Sequence, residues 1–264
     1  MPEGTQNRPT SALATLLAWC IMTVGFQVFL VRAGAMGPGL VTEQIGWSFA
    51  VISAFLMVLV LYKDWDDVGV EQPMRWAHLP MLWLPLLYVV AMLGLAVSLG
   101  LPPVSVLIMV MINSLLIAFS EELMFRGILF AGLRRALPLW PAVLAVTALF
   151  AAVHVLNLLL GASIVLTGVQ VVAAFLNGLL FMAIRLRSGS LWPSILLHAL
   201  WDFSAFMLLQ ASPTGGQSGT MPLSTAIWPV LLVLPNGLYA LYLMRRKSLI
   251  SPAKRITPRE GQRG

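Results

Sequence analysis

Charge is scarce in this sequence. Only 10% of its 264 residues are Asp, Glu, Lys or Arg, while 59% are hydrophobic; soluble domains carry about 25% charged residues. With a mean hydropathy of +0.89, the chain lacks the polar surface that a water-soluble fold must show. Cysteine is nearly absent as well. Cys20 stands alone, which excludes an intrachain disulfide or a metal site built from several cysteines. No internal repeat of fixed period is present, and this disfavours inverted-repeat transporter folds. Acidic residues are outnumbered, 10 against 16 Lys and Arg. That basic excess is not a nucleic-acid footprint, because it lies between and after the apolar runs, where it sets membrane orientation. No nucleic-acid partner is expected.

What the chain does have is apolar length. A run of about 20 apolar residues crosses a bilayer as a helix. Eight such runs occur, at about 11–31, 41–62, 79–99, 104–131, 140–160, 162–184, 190–210 and 224–244. Only helices satisfy their backbone this way without closing a barrel. The fold class is therefore all-α, a polytopic membrane protein of about eight transmembrane helices in contact with membrane lipid. Turn-forming residues separate the runs: Gly37-Pro38-Gly39, Pro102-Pro103, Pro138 to Pro141, Ser188-Gly189-Ser190 and Pro213-Thr-Gly-Gly. The chain divides into helices one to three (1–103), a core of helices four to seven (104–210), helix eight (211–246) and a basic cytoplasmic tail (247–264).

The basic residues test this count. With the N-terminus cytoplasmic, the inside segments hold Arg8, Lys63, Arg75, Arg134, Arg135, Arg185, Arg187 and the basic tail, whereas the outside loops hold Arg32 alone. That asymmetry supports both termini inside. Ala33-Gly34-Ala35 resembles a signal-peptidase site, but the apolar run before it exceeds the usual 7–15 residues of a signal peptide's apolar region and reads as a helix. The loop 63–78 gathers Asp64, Asp66, Asp67, Glu71 and His78 and reads as a solvated loop rather than a metal site. The short loops, small size and lack of a targeting extension point to a bacterial inner (plasma) membrane.

Against this background Glu121, Glu122 and Arg126 are conspicuous, since each charge inside a membrane-length run costs roughly 2.5–3.5 kcal/mol on insertion scales. His154, His198 and Asp202 lie in other apolar runs. At 1.5 Å per residue, Glu121 is roughly 20 Å from Arg134, His154 roughly 21 Å from Trp140, and His198 and Asp202 roughly 12 and 18 Å from Ser190. Three helices thus carry polar groups at similar depth. Residues four apart share a face, so Glu122 pairs with Arg126, His198 shares a face with Asp202, and Phe150 forms an aromatic wall beside His154. Adjacent residues point about 100° apart, which aims Glu121 elsewhere, without a local partner. Each piece also has a plainer reading. A lone His is more often a packing residue, Glu122 with Arg126 a self-neutralising structural pair, and Asp202 an orienting group for His198. Asn113, Asn157, Gln170 and Asn177 read as interhelical hydrogen-bonders. The plain reading is weakest for Glu121.

Glu121-Glu122-Leu-Met-Phe-Arg126 fits Glu-Glu-x-x-x-Arg, Phe150-Ala-Ala-Val-His154 fits Phe-x-x-x-His, and His198-Ala-Leu-Trp-Asp202 fits His-x-x-x-Asn/Asp. With these three motifs in order, the chain resembles the CPBP family of type II CAAX prenyl endopeptidases and bacteriocin-processing and immunity proteins, also called the Abi family. The stretch from Asn177-Gly178 through Arg187-Ser-Gly-Ser-Leu-Trp-Pro193 looks similar too, and the resemblance covers about 104–206. It implies an intramembrane endopeptidase acting on a membrane-associated protein or peptide. By motif position, Glu121 would activate water, His154 would hold or polarise it, His198 and Asp202 would stabilise the oxyanion, and Glu122 and Arg126 would hold the site's geometry.

Amide hydrolysis needs a base for water, a stabiliser for the oxyanion and an acid for the amine, and Glu121 with the two histidines can fill those roles. Two mechanisms stay open. In one, Zn²⁺ held by Glu121, His154 and His198 activates the water; in the favoured one, no cofactor is used. Asp202 stands where many members have Asn, and an ionised aspartate cannot donate to an oxyanion. It must be protonated, orient His198, or ligate a metal. Competing functions are a proton-coupled transporter or channel, which would use similar intramembrane groups, and a non-catalytic membrane scaffold.

Overall fold

The computed structural model describes residues 7–33, 45–211 and 223–245. Among these the architecture is all-α. The helices are α1 (Arg8–Cys20), α2 (Phe26–Arg32), α3 (Trp47–Tyr62), α4 (Trp83–Leu99), α5 (Val104–Glu122), α6 (Phe130–Leu133), α7 (Leu139–Val153), α8 (Ile164–Ser188), α9 (Trp192–Ala211) and α10 (Leu223–Met244). A π-helical turn, Ile21–Gly25, joins α1 to α2, and a second one, Leu123–Leu129, joins α5 to α6. Tighter 3₁₀ segments cover Trp76–Leu82, ahead of α4, and His154–Leu160, after α7.

Every apolar run contributes a helix, and among the described residues seven helical spans are long and apolar enough to cross a membrane. The run 41–62 gives the shorter one. Its described part, α3, has 16 residues, about 24 Å of helix against a hydrocarbon core of about 30 Å. The turns at Gly37-Pro38-Gly39 and from Pro213, residues Gly34 and Ala35 of the small-residue triplet, and the tail 247–264 lie outside the described residues.

Chain punctuation fixes where the helices begin and end. Pro103 and Pro138 stand at the N-caps of α5 and α7, and the Ser163 side chain caps α8 by accepting from Leu166 N–H. Gly189, at φ 70°, closes α8 in the left-handed region, a conformation glycine adopts without a Cβ penalty. The chain therefore reverses sharply into α9, which carries the third motif.

The core forms around the π segment. Leu123, Met124, Phe125, Ile128 and Leu129 are buried against Ile52, Leu56, Leu180, Ile184 and Leu191. Outward-facing Leu61, Val90, Val104 and Leu232 remain more than 60% exposed, as expected where lipid rather than water surrounds the bundle. α8 packs on α10 and α7, and α9 on α4 and α5.

The acidic residues of the loop 63–78 are exposed, as the solvated reading expects, and the loop is also anchored. Asp67 pairs with Arg8 and, at 3.0 Å, with Arg135, while Arg185 donates to the carbonyls of Asp67 at 3.1 Å and Val68 at 3.0 Å. The same loop receives Leu191 N–H on Gly69 O at 3.0 Å, the Ser190 hydroxyl on Gln72 O at 2.6 Å and the Trp192 indole on Val70 O at 2.9 Å. Its carbonyls and one carboxylate thus find basic and hydroxyl donors on neighbouring helices, and the loop is stitched onto the α8–α9 turn.

Candidate active site

Glu121 and Glu122 end α5, where the helix widens into the π segment. π turns inside α-helices recur at functional sites. Arg126 lies within this turn and donates from Nη1 to Glu122 Oε1 at 2.9 Å. Both side chains are essentially sealed from the surroundings, 0% and 1% exposed. The Arg126 guanidinium lies over the Phe150 ring at 4.0 Å and near Phe181 at 5.4 Å, an arrangement that cation–π attraction stabilises when desolvated. Gly178 makes room for it. A Cβ there would lie 3.1–3.2 Å from Thr147, Arg126 and Phe150.

The second motif ends at a change of winding. His154 N–H bonds to Ala151 O in the tighter 3₁₀ manner. The Phe150 carbonyl, its α-helical acceptor, instead takes the ring Nδ1–H of His154 at 2.8 Å. That contact fixes the tautomer of a neutral ring and leaves Nε2 as the free nitrogen. The Phe150 and His154 rings meet edge to face at 5.1 Å.

The third motif brings the helices together. His198 Nδ1–H donates to Glu122 Oε1 at 2.9 Å, so Glu122 serves Arg126 and His198 at once. His198 Nε2 faces Glu121 Oε2 at 3.7 Å and Asp202 Oδ2 at 3.5 Å. Phe181 stacks on the imidazole at 4.7 Å with the planes 21° apart.

Glu121, His154, His198 and Asp202 line one cavity of about 190 Å³, while Glu122 and Arg126 stand behind it in the core. Of the sequence candidates, His154 reaches the group through the shared cavity, the others through direct contacts. The wall also includes Trp19, Thr23, Val24 and Gln27 from the α1–α2 span, Asn157 and Gln170. Motif reading does not reach those α1–α2 residues, nor Phe181. A signal for the former exists: Trp19, Thr23 and Gln27 recur every four residues in an otherwise apolar run. The amides fall where interhelical bonding was expected. Asn157 donates to Gln170 at 2.8 Å, Asn113 accepts from Gly46 N–H at 2.8 Å, and Asn236 donates to Asn177 at 2.9 Å.

A zinc site needs three convergent protein donors. The Nδ1 contacts of His154 and His198 orient the rings as they would for metal ligands. Nevertheless, among the described residues no three His, Cys, Asp or Glu side chains form a group that could hold a metal ion.

Residues 103–204 match the family model described as type II CAAX prenyl endopeptidase Rce1-like. No curated protein and no solved structure matches the chain. The matched segment runs from the start of α5 into α9 and holds all six candidate site residues. Over that segment this integral membrane protein carries the signature of the Rce1-like CAAX endopeptidases, the family its three motifs resemble, and that signature indicates a peptidase.

Proposed function

We propose that the chain hydrolyses a peptide bond of a membrane-associated protein or peptide with water activated by Glu121 and no metal. One observation carries this reading: four titratable side chains from three separate helices face a single cavity within the apolar bundle. In the proposed reaction Glu121 takes a proton from water as its oxygen attacks the carbonyl carbon. His154, anchored through Nδ1, presents Nε2 to hold that water. His198, as the imidazolium whose Nδ1–H is held by Glu122, directs Nε2–H to the developing oxyanion, where a preorganised donor acts most strongly. Asp202 orients that nitrogen or, when protonated, donates beside it. Glu121 then returns its proton to the departing amine as the C–N bond breaks. In this reading the protein sits in a bacterial plasma membrane with both termini cytoplasmic, an orientation that the basic-residue asymmetry supports.

The test compares protein and peptide termini in cells carrying the wild type or Glu121→Gln, with insertion of both verified. New termini are expected only with the wild type, and cleavage by the purified protein should survive a strong zinc chelator. Identical termini would overturn the endopeptidase reading, and an ion-flux assay would then examine proton-coupled transport.

A further inference from the structure

Gln27 sits at the cavity wall, 9% exposed, and no hydrogen bond of its side-chain amide is seen among the described residues. The amide is not among the sealed, unpaired side-chain atoms, so it opens to the cavity, where its donor and acceptor are available to a ligand. Nearby, Trp19 of the same span donates its indole N–H to Ser120 Oγ at 2.8 Å, the residue just before Glu121. That contact holds the Gln27 face of the span against the first motif. Across the cavity stand Asn157 and Gln170, bonded to each other.

An unfolded peptide segment entering an apolar bundle must satisfy its own backbone N–H and C=O groups. Resting on the endopeptidase reading, we propose that Gln27 is a substrate-positioning residue whose amide hydrogen-bonds the backbone of an extended peptide beside the scissile bond. The amide offers both a donor and an acceptor, which matches one peptide unit regardless of side chain. The cavity, at about 190 Å³, is smaller than the roughly 300–1,000 Å³ pockets that enclose whole ligands. It suits a short stretch of main chain. The subsite therefore selects unfolded, extended substrate rather than a particular sequence. It also gives the N-terminal span, outside the family match at 103–204, a part in substrate binding.

The experiment uses the full chain in lipid nanodiscs and a synthetic peptide spanning the strongest Glu121-dependent terminus. Gln27→Met keeps the volume and removes the amide. We expect KM to rise at least tenfold with kcat nearly retained, the mark of lost binding shared by ground and transition state, and no fall in thermal midpoint. Analogues carrying a backbone ester at successive positions localise the contact. One ester should weaken binding to the wild type about tenfold and leave Gln27→Met unaffected. An unchanged KM, an ester penalty equal in both proteins, or a lowered thermal midpoint would each overturn the inference while leaving the endopeptidase reading intact. If no Glu121-dependent terminus exists, the endopeptidase reading itself falls, and this inference with it.

Discussion

Glu121 and Glu122 are consecutive in the chain, yet they belong to opposite regions of the molecule. Behind Glu122 lies a closed polar cluster: Arg126 and His198 both bond to the same carboxylate oxygen, and Phe150, Phe181 and Gly178 shut the space around them. In front of Glu121 lies the cavity, lined by His154, Asp202 and the amides. The first region spends its charges on one another; the second leaves a carboxylate oxygen 3.7 Å from the nearest imidazole nitrogen, too long for a hydrogen bond. A one-residue step around the helix, about 100°, separates the closed cluster from the side chain that faces the cavity.

Exchanges on the two sides should therefore fail differently. The largest effect belongs to Arg126→Ala, which strands Glu122 in the core. Breaking one partner of a buried pair costs about 3–5 kcal/mol, so folded protein in membranes should drop severely. Replacing both members, Glu122→Leu with Arg126→Met, should recover much of that amount without activity, because His198 loses its Nδ1 partner. Full yield of Arg126→Ala would erase the distinction between the regions. Next comes Glu121→Gln, for which cleavage should fall about 10²–10⁴-fold, the usual contribution of a general base, at unchanged yield and thermal midpoint. His154→Ala should behave likewise on the cavity side.

A smaller effect is expected for Gly178→Ala. Its new methyl would press on Thr147, Arg126 and Phe150, and such overpacking costs about 1–3 kcal/mol. A lowered thermal midpoint with partial activity would show how much strain the closed region transmits to His198. Smallest is Asp67→Asn at the partly exposed arginine cluster. Pairs of this kind contribute roughly 0.2–1 kcal/mol, so the midpoint should move slightly and cleavage hardly at all.

The fold class and the six candidate residues are legible in the sequence, for a physical reason. Apolar length reports membrane crossing directly, and an ionisable group inside such a run cannot hide among polar neighbours. Four-residue spacing also captures the contact of Arg126 with Glu122 and of Phe150 with His154. What the sequence does not show is contact between distant segments. Glu122 and His198 are 76 positions apart, and no local periodicity announces that they share a hydrogen bond. Phe181 looks like any apolar residue of its helix until His198 is stacked on it. The π and 3₁₀ windings at Leu123–Leu129 and His154–Leu160 are equally silent, because they answer to packing and to a side chain competing for a carbonyl. The acidic loop is exposed, as its composition suggests, but its anchoring is not legible, because the arginines that meet it, Arg8, Arg135 and Arg185, come from three other parts of the chain.

In the proposed hydrolysis the cavity also decides how the second reactant is supplied. A molecule of liquid water occupies roughly 30 Å³, so a space of about 190 Å³ has room for several, in a bundle whose outer face is hydrocarbon. In that reading the space would hold water beside Glu121. An incoming peptide would share the space with that water, and one whose flanking side chains are too bulky would evict the molecule the reaction needs. Rejection of such substrates is then a matter of drought rather than of fit.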